Sequence, residues 1–151
     1  MIITICTSLK YYADALGVQK QLENLGHEVL IPPQQVKNES GDLIPVQEIY
    51  HLRKEALKKN ENSDWLWQRK KEAMNDHFEK VNKADAILVL NFTKDGIDNY
   101  IGGNVFLEMG LAFWLNKPIY LLNPIPTGLS YAEELKGMQP IVINGDLNLI
   151  R

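Results

Sequence analysis

The chain reads as an α/β protein built on a doubly wound, five-stranded parallel sheet, with a helical insertion between the second and third strands. Three observations carry that reading. Five short apolar runs recur along the 151 residues, at 2–6, 29–31, 86–90, 118–122 and 140–143. They are continuous rather than alternating in polarity, the pattern of strands covered on both faces. Segments of helical period separate them, and strands and helices in that order build one open sheet of the flavodoxin or Rossmann-like type.

The first run, 2–6, has no basic segment before it and no small-residue cleavage site after it, so it reads as a strand rather than a leader. Thr7, Ser8, Leu9 and Lys10 follow as a loop, with Thr7 or Ser8 placed to cap the next helix. Ala13, Leu16, Leu22 and Leu25 repeat at helical spacing, and Gly26 supplies the stop before the second strand. Pro32-Pro33 then breaks the pattern, 38–42 is a polar turn, and two helices are expected over 46–60 and 63–83, the second capped by Ser63 or Asp64. Trp65 and Trp67 in that second helix suit core packing, a pocket wall or a subunit contact.

After the third strand, the loop from Asn91 to Gly103 leads into Asn104-Val105-Phe106-Leu107-Glu108-Met109-Gly110. Glu108 is the one charged side chain between Asp98 and Lys117. Burial raises a carboxylate's pKa and costs several kcal/mol unless a partner or ligand compensates, which makes Glu108 a site candidate. Gly102 and Gly103 let backbone N–H groups at the helix start face a polar ligand, and Asn104 lies four residues from Glu108, on the same helix face. Ligands in such sheets sit beyond the carboxyl ends of the strands. The loops there carry Thr7, Ser8 and Lys10, then Asn91, then Asn123, all able to bind a polar ligand.

With 45% hydrophobic and 23% charged residues, the chain fits one globular domain over 1–151, the insertion spanning about 33–75. The formal charge of −3 argues against binding a nucleic acid polymer. No apolar run is long enough for a membrane span. The lone cysteine, Cys6, excludes a disulfide framework and suits a reducing compartment, the cytoplasm. His27, His51 and His77 are scattered without metal-ligand spacing, so neither a metal nor a cofactor is expected.

The residues also carry a family resemblance. Ala84-Asp85-Ala86-Ile87-Leu88-Val89-Leu90, then Gly102-Gly103-Asn104-Val105-Phe106-Leu107-Glu108-Met109-Gly110-Leu111-Ala112, then Asn116-Lys117-Pro118-Ile119, resemble the nucleoside 2-deoxyribosyltransferase superfamily, which includes the deoxynucleoside monophosphate N-glycosidases. Cys6-Thr7-Ser8-Leu9-Lys10 is similar to the Cys-Gly-Ser-Ile-Arg segment of the latter, and Asn99-Tyr100-Ile101-Gly102-Gly103-Asn104 marks the nearest branch. The likeness covers the sheet framework and not residues 33 to about 74.

The resemblance implies an N-glycosyl hydrolase or transferase acting on a nucleoside or nucleoside 5′-monophosphate. Glu108 falls on the nucleophile that attacks C1′ of the sugar, and Ser8 and Lys10 fall where monophosphate-type members hold a phosphate. The family's strand-one Tyr falls on Thr4, and its second acid falls on His77, with Asp76 adjacent, as candidate acids for the leaving base. Family members are oligomers, so a homo-oligomer is implied. The alternatives are a non-catalytic module that binds or senses a nucleotide on the same fold, and an interaction protein working through the Trp65–Trp67 insertion.

Overall fold

The computed structural model describes residues 1–151. Five strands form one parallel sheet: β1 (Ile2–Cys6), β2 (Glu28–Leu30), β5 (Ala86–Val89), β6 (Ile119–Leu121) and β7 (Ile141–Val142), in the spatial order β2-β1-β5-β6-β7. This is the 2-1-3-4-5 order of flavodoxin-like sheets, counting only its own strands. Strand order reverses at β1, where Ile3 pairs with Val29 on one side and with Ala86 on the other.

Right-handed crossovers running in opposite directions from β1 must place their helices on opposite faces. One face, carrying Ile3, Ile5, Ala86 and Leu88, packs on Ala15 and Leu22 of α1 (Tyr12–Asn24) and on Leu147 and Ile150 near the C-terminus. The other face carries Cys6, Ile87 and Val89. It packs on Val81 of α3 (Asp64–Lys83), on Val105, Met109 and Ala112 of α4 (Gly103–Trp114), and on Leu135 of α5 (Ala132–Gly137). All four β5 residues are buried, which is why its sequence shows no polar alternation. Gly26 closes α1 at φ +90°, a left-handed conformation that favours glycine, and the His27 N–H donates to the Leu22 carbonyl.

The insertion holds the two expected helices, α2 (Val46–Lys58) and α3, with Ser63 at the start of α3. It also holds an antiparallel hairpin absent from the sequence reading, β3 (Gln35–Lys37) with β4 (Leu43–Pro45). Strands of three residues are too short to display a period. The polar stretch 38–42 is their connection, tied by Asn38 N–H to the Asp42 carbonyl at 2.8 Å and by Asp42 N–H to Asn38 Oδ1 at 2.9 Å.

A third cluster, Tyr12, Val46, Ile49, Ala56 and Leu66, fastens α2 and the start of α3 to α1, and half-buried Trp65 and Trp67 pack against it. The exposed tryptophan is instead Trp114, at the end of α4. No helix is long and apolar enough to cross a membrane.

Candidate active site

Glu108 sits on the inner face of α4, 3% exposed, where the apolar helix packs across the carboxyl ends of β1 and β5. Its neighbour one turn back holds it: Asn104 Nδ2 donates to Glu108 Oε1 at 2.5 Å. Lys70 Nζ of α3 in turn donates to Asn104 Oδ1 at 2.7 Å. The two bonds fix the amide, because an ammonium only donates and a carboxylate only accepts. The other carboxyl oxygen, Oε2, is buried with no hydrogen-bond partner. It lies 3.8 Å from Nε2 of His77, itself buried on α3, and that nitrogen is 3.7 Å from Cys6 Sγ of β1.

Burial dominates the electrostatics of this group. It pushes Glu108 from 4.5 up to about 7, against the opposing pull of the Cys6 thiol, the Lys70 charge and Asn104. Burial also pulls His77 from 6.5 down to about 4, with the Lys80 charge adding to it and Asp76 opposing. The Ile5 carbonyl opposes weakly too, without hydrogen-bond geometry, so His77 Nδ1 has no partner. Cys6 is held well above its ordinary value by burial and by Glu108. At neutral pH, the resting trio is a neutral imidazole, a thiol and a carboxyl that holds its proton about half the time.

Above Glu108 opens a cavity of about 520 Å³, within the range of small-molecule sites. Its walls come from the loops after β1 and β5, from the start of α4, and from the insertion. Thr7, Ser8, Gly102, Gly103 and Asn104 line it with His77 and Glu108. A Cβ on Gly102 would meet the Tyr100 ring at 3.3 Å, so this turn needs a small residue. Asp76 reaches the rim but is exposed and paired with Lys80 at 2.5 Å.

Three expected residues lie outside the cavity wall. Asn91 is fully buried and spends its amide on the loop after β6. Its Nδ2 donates to the carbonyls of Asn123 and Pro124 at 3.0 Å, and its Oδ1 accepts from Asn123 N–H at 2.9 Å. Asn123 returns a bond to the Asn91 carbonyl. This pair clasps two loops together and leaves Asn91 no free amide. Lys10 is exposed, its ammonium 5.5 Å from the Tyr11 ring centre, and lines a shallower outer depression. Thr4 donates its hydroxyl to the Lys80 carbonyl at 2.9 Å.

Histidine spacing pointed to no metal site, and the fold gathers one group of donors that spacing along the chain does not show. Cys6, His77 and Glu108 come from three elements, and their ligand atoms lie within 4.8 Å of one another. Thiolate, imidazole and carboxylate form a donor set that suits zinc. Such an ion would have to displace protons that burial holds on both the thiol and the carboxyl.

Trp67, offered by the sequence as a pocket wall among other roles, lines the cavity, but the sequence reading missed Tyr50, Arg53 and Lys54 of α2, Lys70 of α3, and Lys94 after β5. Lys94 lies in a loop already singled out by position. A signal for Arg53 was present too, since Ile49, Arg53 and Ala56 recur at helical spacing and all three are buried.

No family model matches the chain, and no curated protein matches its sequence. Among solved structures it is similar to the 2-deoxyribosyltransferase of the psychrotolerant bacterium Bacillus psychrosaccharolyticus, with 18% identity and a TM-score of 0.48 over 80% of this chain and 71% of that one.

Proposed function

We propose that this chain cleaves or transfers the N-glycosidic bond of a nucleoside or nucleoside 5′-monophosphate, with Glu108 as the nucleophile. One observation carries the reading. A buried carboxylate at the topological switch point lines the floor of the cavity, one oxygen tethered by Asn104 and the other buried without a hydrogen-bond partner beside His77. The family resemblance around Glu108 agrees with it in the Glu108-Met109-Gly110 segment, while Asn104 occupies the position four residues before the carboxylate.

In the first step Glu108 Oε2 bonds to C1′ as the C1′–N bond breaks, and the electron pair leaves with the base. The base needs a proton, and the Glu108–His77 pair holds one. Shifted from Glu108 to His77, that proton leaves a carboxylate as nucleophile and an imidazolium as acid. Burial holds the carboxyl up and the imidazole down, so in the resting fold the shift runs uphill, less the attraction of the ion pair it creates. An oxocarbenium-like centre beside Glu108 favours the ionised carboxylate and offsets that cost. Water or a second base then attacks C1′ of the glycosyl ester and frees Glu108. Asn104 is a positioning residue, fixing the Glu108 rotamer, with Lys70 fixing the amide.

Assembly as a homo-oligomer in the cytoplasm belongs to the same proposal. Leu107 and Trp114, on one face of α4 and 51% and 80% exposed, are the apolar surface such a contact would cover.

The test is chromatographic detection of free base from ribo- and deoxyribonucleosides and their 5′-monophosphates, with wild type beside Glu108→Gln. Release by wild type that vanishes in a folded Glu108→Gln is expected. No release from any substrate would overturn the enzymatic reading in favour of a nucleotide-sensing module. The commitment of the Thr4 hydroxyl to Lys80 is the observation that favours this second reading.

A further inference from the structure

We propose that the helical insertion and the loop after β5 together build an oxyanion site, centred on Arg53 and Lys94, that binds the phosphate of a nucleoside 5′-monophosphate. The nucleoside part of that ligand rests on the N-glycosidic reading. The anion site stands on its own geometry.

Arg53 projects from the inner face of α2 and is 8% exposed, yet its guanidinium makes neither a hydrogen bond nor an ion pair with the protein. It lines the cavity. Removing a guanidinium from water without a counter-charge is costly, and a fold that does so at a cavity wall leaves the counter-charge to a ligand. Its surroundings compound the deficit. The charges of Arg53 and Lys54 both act against the Lys70 ammonium. Lys94 reaches in from the loop after β5, donating to Tyr50 Oη at 3.2 Å and Ser8 Oγ at 3.4 Å, with its ammonium 5.7 Å and 5.6 Å from the Tyr50 and Tyr100 ring centres.

Of the acids that line the cavity, Glu108 acts on Lys70 alone, and none pairs with Arg53, Lys54 or Lys94. Glu72 is paired with Arg69 at 2.8 Å, Asp76 with Lys80, and Glu108 is bound to Asn104. A chain of net charge −3 thus gathers unpaired cations on one wall of one cavity. The outer depression shares Tyr50, Lys54 and Lys94 and adds Lys10, with Asp95 and the paired Lys58 and Glu55 completing its rim.

The donors favour phosphate over a carboxylate. A guanidinium fork, an ammonium and the Ser8 and Tyr50 hydroxyls offer more directions than two carboxylate oxygens can fill, and a phosphate dianion matches more than one positive charge. Arg53 and Tyr50 stand on α2, outside the part of the chain that carries the family resemblance. The insertion therefore supplies the guanidinium and the Tyr50 hydroxyl, and the loops after β5 and β1 supply Lys94 and Ser8.

Binding of inorganic phosphate, and of nucleosides beside their own 5′-monophosphates, is measured calorimetrically for wild type, Arg53→Gln and Lys94→Gln, with circular dichroism as the check on folding. Wild type is expected to prefer each monophosphate over its nucleoside by about tenfold to a hundredfold, the range for hydrogen bonds to a charged group. Inorganic phosphate should compete with the monophosphate. Both variants should lose most of that preference while keeping their affinity for the unphosphorylated nucleoside.

Equal binding of the two ligand forms by wild type, or binding of none of the three ligands, overturns the proposal. So does a preference retained in Lys94→Gln, whose partly exposed loop position keeps the test valid if Arg53→Gln fails to fold. Phosphate-dependent binding without base release refutes the glycosidic reading and leaves the anion site standing. Base release with equal use of nucleosides and monophosphates does the reverse.

Discussion

Replacing Glu108 by Gln should expose two opposing pH dependences that cancel in the wild-type protein. The Glu108 carboxyl goes from 4.5 in an open chain to about 7 in the fold. Across that window the folded state keeps a proton the unfolded chain has lost, so stability present below pH 4.5 is lost as pH rises toward 7. At about 1.4 kcal/mol per pH unit, the loss is on the order of 3 kcal/mol. His77 goes from 6.5 down to about 4. Its unfolded form holds the extra proton, so stability present above pH 6.5 is lost as pH falls toward 4, again by on the order of 3 kcal/mol. Between pH 4.5 and 6.5 the two slopes are opposite and similar. Glu108→Gln removes the falling one, and Glu108 is not among the groups that set the His77 shift. The variant should gain stability steeply from pH 4 to 6.5, and the wild-type-minus-variant difference should widen by on the order of 3 kcal/mol up to pH 7.5. Urea unfolding followed by tryptophan fluorescence at intervals from pH 4 to 8 gives that difference, in which the slopes of all other carboxylates drop out. A difference that stays constant with pH would refute the assignment of a buried, proton-holding Glu108.

Two further outcomes follow from the same contacts. Asn91→Ala should destabilise the fold by about 2 to 4 kcal/mol in urea unfolding, because it unpairs buried groups on two loops at once. A loss under 1 kcal/mol would refute the clasp. Lys70→Met removes both a charge that favours the Glu108 carboxylate and the bond that orients Asn104. The falling limb of the stability profile should therefore extend to higher pH than in wild type, and an unmoved limb would show that Lys70 does not act on Glu108.

Much of the fold is legible in the sequence because burial on two faces leaves a direct mark. Residues 86–90 are apolar without a break since β5 meets helices on either side, and Gly26 marks the end of α1 because the chain there must turn left-handed. The hairpin at β3 and β4 leaves no such mark, its strands being three residues long with one half-buried residue each. Glu108 is legible for the same reason as β5: one charge in a long apolar stretch stands out against its neighbours. Asn104 follows from helical spacing alone.

The sequence by itself determined the sheet, the helices, the buried carboxylate and the amide one turn away, because each rests on a local pattern of period, polarity or turn chemistry. Tertiary structure alone decided what surrounds that carboxylate. Cys6, His77 and Glu108 meet within 4.8 Å from three separate elements, Asn91 closes on Asn123 rather than facing a ligand, and Arg53 of the insertion arrives at the cavity wall without a partner. Spacing along a chain fixes neighbours only within one helix or strand. Contacts between elements are set by the crossovers and by which faces pack.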